Sequence, residues 1–412
     1  MDISANLSTL DQNSIVGISS FLDYHDILKL TTSARSFSFL ADHQAVWKSQ
    51  ISNYIAIDLI YFDEDFPSMN PKEQFKFLVG KVTRICDLLA NIIHKFDPAY
   101  NAKSILQKDF MEDFENKAQI DKIIKEEYEK LPLDYYVLYR LLNGEQLIKS
   151  KPKEVALFGG FTYYNSAYQF NFLPLSKPEN DPIIQKYKLL TLTKDPYSGV
   201  RLFVDTNNFF KQGYGSIFML SSLRQENGKR IIRGFIFKPN IMRFLEDLQY
   251  ISYNQEEEIL EHFDSLERPL SDVTTRGIRI RTSAIFNPWD RQHGGYLFVY
   301  QIRISPNGVQ GRWKLTDRHW IIDDNGTPHE VKGPGVIGYH PEVYGGCEEF
   351  TYQSCTPMHG FQGTMKGELY FRNMDTGEEI PAIVGEMKLK LPEGCPMIDF
   401  YPEDGEVRVV ET

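Results

Sequence analysis

The chain has 412 residues and a formal net charge of −11, with 42% hydrophobic and 25% charged residues. This length predicts two to four domains, and the composition is typical of a globular protein. The negative charge disfavours nucleic acid or an anionic membrane as the main partner, because both require a basic surface. A basic protein partner agrees better with this charge.

Cysteine use and the N-terminus indicate the compartment. The four cysteines lack the short paired spacing of a zinc site and the density of a secreted disulfide scaffold. We therefore predict free thiols, with a pairing of Cys347 and Cys355 as the alternative. The N-terminus lacks the segments of a signal peptide, and no apolar run approaches membrane-spanning length. A cytoplasmic or nuclear location, or both, is predicted, with no membrane partner.

Two short helices are predicted near the N-terminus. Thr9 followed by Gln12 forms a capping box that starts the first helix. Asp23 has the position of the next N-cap, and Leu22 and Ile27 flank it as a hydrophobic staple. A unit this small cannot bury both of its faces alone.

Residues 10–47 carry a pattern at defined positions: Leu10, Ile18, Phe21-Leu22-Asp23-Tyr24, Asp26-Ile27, Arg35, Phe37, Leu40 and Trp47. This pattern resembles the F-box, which docks on the Skp adaptor of cullin–RING ubiquitin ligases. The resemblance implies an F-box over residues 1–55 with these adaptor-binding residues: Leu10, Ile18, Phe21, Leu22, Ile27, Leu40 and Trp47. The chain departs from the family where Leu10-Asp11-Gln12-Asn13 replaces Leu-Pro-x-Glu. A helical hairpin packed on its own domain is the alternative.

Residues 56–117 are predicted as a helical linker region. Pro71 suits the first turn of a helix, where its missing N–H is not needed. One apolar stripe follows at spacings of three and four residues: Phe75, Leu78, Val82, Ile85, Leu89 and Ile92. Such a stripe is typical of a helix face in a core rather than of a cofactor site.

The following helices lead into a predicted α+β domain. A helix from Ala118 is broken at Leu131-Pro132, and a second helix ends at Asn143-Gly144. A closing helix is predicted near residues 240–253. Four strands are predicted before it, at residues 155–158, 187–193, 200–204 and 216–220. The segment LPLDYYVLYRLLNG resembles the start of a SUKH-type module (the Smi/Knr-like fold), which implies such a domain over residues 118–265.

Residues 271–392 have the pattern of an all-β unit with short strands. Asn325-Gly326 and Asp375-Thr376-Gly377 supply turns, and short, closely spaced strands predict a β-sandwich. Four segments carry a closer resemblance: Arg318-His319-Trp320, Gly333-Pro334-Gly335-Val336-Ile337-Gly338, Glu349-Phe350-Thr351-Tyr352 and Gly363-Thr364-Met365-Lys366-Gly367. They resemble the ApaG domain, which implies an immunoglobulin- or fibronectin-like sandwich over residues 268–395.

Residues 396–412 are rich in acidic side chains, which predicts a solvated acidic tail. The alternative is that Met397 to Tyr401 docks as a strand. The chain is thus predicted to be a multidomain α+β protein. Its F-box, central α+β SUKH-type domain and C-terminal all-β ApaG sandwich stand in an order that resembles the ApaG-bearing F-box proteins, the F-box-only third-type family.

The spacing Gly333-x-Gly335-x-x-Gly338 matches a dinucleotide-binding fingerprint. That fingerprint needs a helix after the glycines, within a βαβ unit, whereas Pro341 follows here. Glycine also answers a need for unusual φ, so a turn is favoured. A nest of backbone amides that holds an anion stays open, because the resemblance implies it: bacterial relatives have been proposed to bind pyrophosphate-like groups there.

No convincing active site is found in the sequence. Enzymes show a nucleophile beside a base, paired carboxylates or ligand clusters. Four histidines of the ApaG segment match no metal-site spacing: His319, His329, His340 and His359. Gly213-Tyr214-Gly215-Ser216 lacks the second glycine of a nucleophile elbow. We predict no catalytic residue, no bound metal and no cofactor.

Two functions remain open. The first is the substrate-recognition subunit of an SCF (Skp–cullin–F-box) E3 ubiquitin ligase. Its partners would be the Skp adaptor, the cullin and RING protein that the adaptor connects to it, and a client protein. The second is a phosphate or nucleotide sensor without a ligase role. Loops on a rigid sandwich suit recognition. The candidate ligand or client residues are Gly333, Gly335, Gly338, Trp313, Tyr339 and Tyr344, with Tyr296 nearby.

Overall fold

A computed structural model describes residues 12, 27, 29, 35–61, 65–144, 156–163, 166–196, 200–226, 229–254, 259–262, 270–287, 296–360, 362–391, 397–401 and 406–410. The chain divides into two compact units, which we describe separately. Unit one comprises Met1–His94, Ala99–Leu147 and Pro174–Asn180. Unit two comprises Lys95–Pro98, Ile148–Leu173 and Asp181–Thr412.

Unit one is helical where it is described. Its α-helices are α1 (Gln44–Tyr54), α2 (Pro71–Phe96), α3 (Ala102–Glu112), α4 (Phe114–Ile123) and α5 (Leu133–Leu141). Shorter 3-10 helices span Arg35–Asp42, Ile57–Leu59 and Phe66–Ser68, and a π-helical turn spans Ile124–Tyr128. Two short strands, β1 (Ile60–Tyr61) and β2 (Leu131–Pro132), pair in parallel.

Helix α2 begins where the sequence places its start. A capping box precedes Pro71: the Glu73 N–H donates to Asn70 Oδ1 at 3.1 Å, and the Asn70 N–H donates to Glu73 Oε2 at 3.0 Å. Five members of the predicted stripe are buried, namely Phe75, Leu78, Ile85, Leu89 and Ile92, whereas Val82 is half-buried. This helix therefore contributes the core face that its periodicity predicts.

Helix α5 is buried on all sides, including the charged residue Arg140, which is 1% exposed. Its guanidinium donates from Nη2 to the Phe110 carbonyl at 2.8 Å and from Nη1 to the Asp113 carbonyl at 2.9 Å. The Phe110 carbonyl lies in the last turn of α3, where intrahelical donors run out, and the Asp113 carbonyl also accepts from the Lys117 N–H at 3.3 Å. The described residues 118–144 belong to unit one, whereas the strands that the SUKH-type prediction grouped with them belong to unit two.

The strands after residue 155 differ in part from prediction. The central strands of unit two are β3 (Gly160–Tyr163), β4 (Ser166–Gln169), β5 (Asn171–Phe172), β6 (Leu190–Lys194), β7 (Arg201–Asp205), β8 (Ser216–Glu226), β9 (Lys229–Lys238), β10 (Ser252–Asn254) and β11 (Ile259–Glu261). Residues 156–158 are not a strand, and 182–187 form helix α6 (Pro182–Tyr187). The predicted closing helix is α7 (Ile241–Leu248), and strand β10 follows it.

The ApaG segment forms two sheets. Its strands are β12 (Ser271–Thr275), β13 (Ile278–Asn287), β14 (Tyr296–Pro306), β15 (Trp313–Asp324), β16 (Thr327–Pro334), β17 (Glu342–Val343), β18 (Phe350–Met358), β19 (Gln362–Asn373) and β20 (Glu379–Lys390). One sheet has the order β12-β13-β14-β18, and the other β16-β15-β19-β20 with β17 on β15. Asn325 and Gly326 have φ of 52° and 88°, as the predicted hairpin turn requires.

Strand β14 is buried on both faces, because the central strands cover its outer face. There the Gln301 side-chain amide donates to Glu261 Oε2 at 2.9 Å, and Gln353 donates to Glu261 Oε1 at 3.3 Å. The Arg303 guanidinium donates to Gln301 Oε1 at 2.5 Å. A buried polar network therefore joins β11 to the sandwich.

The C-terminal residues are ordered in strands rather than forming the expected solvated tail. Strand β21 (Met397–Tyr401) pairs with β9, and β22 (Glu406–Val410) pairs with β21. They extend a seven-stranded sheet of order β22-β21-β9-β8-β7-β6-β5. Ile398 is fully buried, and a β-carbon at Gly234 would lie 3.1 Å from it. The alternative of a docked strand is the one adopted, because β21 covers an edge of β9 that would otherwise be unpaired.

Candidate functional site

The glycine-rich segment after β16 forms a tight hairpin turn. The Val336 N–H donates to the Tyr339 carbonyl at 2.9 Å, and the Tyr339 N–H donates to the Val336 carbonyl at 2.8 Å. The two residues between them, Ile337 and Gly338, have φ of 42° and 87°. Positive φ at both central positions defines a type I′ turn. We call the segment from Gly333 to Tyr339 the glycine loop.

Two glycines of this loop lie in close contact with neighbouring groups. Gly335 has a φ of 56°, and a β-carbon there would lie 2.5 Å from the Tyr339 carbonyl oxygen. Its N–H donates to the Thr316 carbonyl at 2.8 Å. Gly333 lies in β16, and a β-carbon there would lie 3.3 Å from Arg318 Nη1. The N–H groups of residues 335, 336 and 339 are thus bonded to the protein itself, which leaves fewer donors for an anion.

Arg318 holds the loop from the neighbouring strand. Its Nη1 donates to the carbonyls of Pro334 at 3.0 Å and Gly335 at 2.8 Å. The His340 ring, which follows the loop, also contacts β15, with Nδ1 3.0 Å from the Leu315 carbonyl. Arg318 was recognised in the sequence only as part of a family motif. The available signal was a charged residue alternating with the apolar Trp320 and Ile322 on one face of a strand.

The predicted aromatic residues do not all lie on the surface. Trp313 is 4% exposed, and its indole N–H donates to the Gln310 carbonyl at 2.8 Å. Recognition by Trp313 therefore stays a prediction, and its side chain is almost fully buried in this structure. Tyr339 and Tyr344 are 60% and 42% exposed, and the Arg312 guanidinium lies 5.4 Å from the Tyr344 ring centroid. Tyr296 is half-buried.

The predicted adaptor-binding residues fall into two groups. Leu10, Ile18, Phe21 and Leu22 lie outside the described residues. Ile27, Leu40 and Trp47 are described, and all three are buried within the chain. The Trp47 ring centroid lies 5.3 Å from that of Phe75, and its N–H donates to the Ala41 carbonyl at 2.9 Å. These three side chains therefore serve the packing of unit one.

The sandwich histidines occupy structural positions. His359 Nδ1 lies 2.7 Å from Asp324 Oδ2, and the backbone N–H groups of His359 and Gly360 also donate to the Asp324 carboxylate. Desolvation raises the pKa of Asp324, but these hydrogen bonds outweigh it and lower that pKa below its ordinary value. His319 Nε2 lies 3.0 Å from Glu330 Oε2. Within the described ranges, no group of three or more His, Cys, Asp or Glu side chains is arranged to hold a metal ion.

Two further features of the described residues are the state of the cysteines and the character of the helices. The described cysteines Cys86, Cys347 and Cys355 are free thiols. Among the helices that the structure describes, none combines the length and the apolar character needed to span a bilayer.

Two antiparallel sheets that face each other place this part of the chain among the β-sandwich domains. Residues 288–373 match the sequence profile of the ApaG domain. Protein ApaG of Anaeromyxobacter dehalogenans (strain 2CP-C) is 34% identical over 124 residues, which cover 30% of this chain and 97% of that protein. Protein ApaG of Methylobacterium nodulans is 36% identical over 121 residues, or 29% of this chain and 91% of that protein. The chain therefore belongs to the ApaG family.

A further relative extends well beyond the sandwich. The F-box protein SKIP16 of Arabidopsis thaliana is 26% identical over 356 residues, which cover 71% of this chain and 75% of that protein. The ApaG part of the chain is thus one portion of a longer similarity.

Proposed function

We propose that the chain is the substrate-recognition subunit of an SCF E3 ubiquitin ligase. The observation that carries the proposal is the similarity to an F-box protein over 71% of the chain, whereas the bacterial ApaG protein matches 30% of it. In this proposal residues 1–55 dock on the Skp adaptor, which connects the chain to cullin and a RING protein. The ApaG sandwich and the central sheets bind the client, in the cytoplasm or the nucleus. The chain itself catalyses nothing.

The proposal assigns different roles to the two groups of N-terminal residues. Leu10, Ile18, Phe21 and Leu22 contact the adaptor as apolar anchors, since a few such side chains carry most of the energy of an interface. Ile27, Leu40 and Trp47, which are buried, support the helices that present them. The central part over residues 118–265 is assigned as the SUKH-type module on the strength of its LPLDYYVLYRLLNG segment.

Client binding is assigned to the sandwich because its glycine loop exposes apolar side chains. Ile337 and Tyr339 in the loop are 39% and 60% exposed, Tyr344 after the loop is 42% exposed, and Val331 on the adjacent β16 is 39% exposed. Aromatic and aliphatic side chains presented on a rigid hairpin are suited to recognition. The glycine loop and β16 therefore supply the proposed client surface.

Co-expression of the full chain with a Skp adaptor, followed by size-exclusion chromatography, tests the adaptor role. We expect the two proteins to co-elute, and Leu22→Ala to abolish co-elution. Ile57→Ala is the matched control, because Ile57 is an apolar residue of the same unit that is 39% exposed and has no assigned contact. Separate elution of the wild-type proteins would refute the proposal.

A further inference from the structure

A cavity of about 390 Å³ lies between the two sheets of the sandwich. Its size falls within the range of small-ligand sites. Its walls come from β14, β15, β16, β18, β19 and the glycine loop. The lining residues are Tyr300, Arg318, Trp320, Ile322, His329, Val331, Val336, Ile337, Tyr352, Ser354, Cys355, Thr356, Pro357 and Met365.

The strand order explains why the cavity is found here. Strands β16 and β18 are each the last strand of their sheet. In the register of β15 with β16, Arg318 lies opposite Gly333 and Trp320 lies opposite Val331, so these residues share the inward face. Gly333 leaves room for the guanidinium. The cavity therefore occupies the sandwich edge at which neither sheet has a further strand.

The Trp320 side chain provides an unused hydrogen-bond donor in this wall. Trp320 is 2% exposed, and its indole nitrogen has no hydrogen-bond partner among the described residues. An indole N–H can only donate, so it needs an acceptor. Buried donors without acceptors are rare in folded proteins and call for a bound water, ion or ligand. The unsatisfied Trp320 N–H therefore agrees with the binding of an acceptor in the cavity.

Arg318 adds a positive charge with free donors. Its Nη1 is used by the glycine loop, whereas its Nε and Nη2 form no bond to a described residue, and no described carboxylate pairs with it. No Asp or Glu lines the cavity, although the chain has a net charge of −11. The remaining wall mixes apolar side chains such as Ile322, Val331 and Met365 with the hydroxyl-bearing residues Tyr352, Ser354 and Thr356. The cavity therefore combines one permanent cation, Arg318, with several neutral polar groups and with apolar surface.

We propose that this cavity binds a ligand with a single carboxylate on an apolar body. The free edge of the Arg318 guanidinium matches the two oxygens of a carboxylate, and the Trp320 N–H supplies a third donor. One guanidinium balances one negative charge, which favours a carboxylate over a phosphate dianion. The carboxylate belongs either to the C-terminus of a client chain or to a free aliphatic acid. Only the first source rests on the proposed function.

Isothermal titration calorimetry on the full chain tests the ligand class with three probes. N-acetyl-leucine represents a chain end, octanoate represents a free acid, and N-acetyl-leucinamide lacks the charge. We expect at least one acid to bind, and the amide to bind at least about tenfold more weakly than N-acetyl-leucine if that acid binds. Preference for N-acetyl-leucine or for octanoate identifies the source. Absence of binding by both acids, or equal binding of N-acetyl-leucine and its amide, overturns the proposal.

Two variants assign the binding to the cavity. Arg318→Gln should weaken the acid that binds by about tenfold or more, and Trp320→Phe, which keeps a ring but removes the N–H, by several-fold. Arg312→Gln is the matched control, since Arg312 is exposed and bonds Glu342 at the surface. Circular dichroism checks folding, and Trp320→Phe stays informative if Arg318→Gln loosens the loop. Wild-type affinity in both folded variants refutes the site. No adaptor is present, so the result is independent of the ligase proposal.

Discussion

Two buried tryptophans on strand β15 differ in the use of their indole N–H. The N–H of Trp313, the first residue of the strand, donates to the Gln310 carbonyl at 2.8 Å. Seven residues later the Trp320 N–H has no partner among the described residues and its ring lines a cavity. Both rings are almost fully buried. Burial alone therefore does not distinguish a core residue from a site residue, whereas the use of its donor does.

The contrast extends to the central sheets, where the buried His262 ring, like that of Trp313, has a hydrogen-bond partner. Its Nε2 lies 2.7 Å from the Phe158 carbonyl, and burial lowers its pKa from 6.5 to about 4. The unfolded chain binds a proton near pH 6.5 and the folded chain only near pH 4. The stability contribution of the neutral ring is therefore complete above pH 6.5 and is lost as the pH falls towards 4, by about 1.4 kcal/mol per pH unit.

Urea unfolding of wild type and of His262→Gln at intervals between pH 7 and pH 4.5 measures this effect. The wild type should lose free energy of unfolding more steeply than the variant. Equal slopes would mean that His262 does not couple protonation to folding. A parallel series with His94→Gln is the control, because His94 is exposed on helix α2.

Substitutions in the glycine loop, which borders the cavity, should have the next largest effect on the free energy of unfolding. Gly335→Ala should destabilise the protein by about 2 kcal/mol or more, because positive φ is combined with a carbonyl oxygen 2.5 Å from the new methyl group. Gly338→Ala should cost about 1 kcal/mol, since its φ of 87° is also unfavourable but nothing lies within 4 Å. Chemical denaturation compares them. Equal losses would contradict the packing role of Gly335.

Substitution of the two tryptophans should give a smaller difference in unfolding free energy, and its sign is predicted. Trp313→Phe removes a satisfied donor and should cost about 1 kcal/mol more than Trp320→Phe, which removes a donor without an acceptor. Ring truncation is common to both variants, so the difference in unfolding free energy reports mainly the N–H. A larger loss for Trp320→Phe in ligand-free protein would mean that its N–H already has a partner.

Inorganic pyrophosphate should produce the smallest effect of all. The N–H groups of Gly335, Val336 and Tyr339 already bond to the protein, so the glycine loop should give no heat in calorimetry with pyrophosphate or with nucleotides. Saturable binding that Gly338→Ala removes would restore the anion-binding alternative. It would also show that the loop opens in solution.

Much of the local structure follows from the sequence. The start of α2 at Pro71, its apolar stripe and the turn at Asn325-Gly326 depend on neighbouring residues, so local patterns predict them. The ApaG resemblance is likewise confirmed by the family match over residues 288–373. The candidate site was predicted less well. The sequence named Trp313, which is buried, as a candidate site residue. It did not indicate that Arg318 and Trp320 line a cavity.

Family membership, helix starts and hairpin turns were determined by the sequence itself, because each depends on residues that are close along the chain. The return of β21 to β9, the packing of α5 in unit one and the state of the Trp320 N–H were decided only by the tertiary structure. An apolar repeat of two or 3.6 residues shows which face of a strand or helix is buried. It does not identify the element that packs against that face. Whether a buried donor meets an acceptor depends on groups that are distant in sequence, and their positions arise only when the chain is folded.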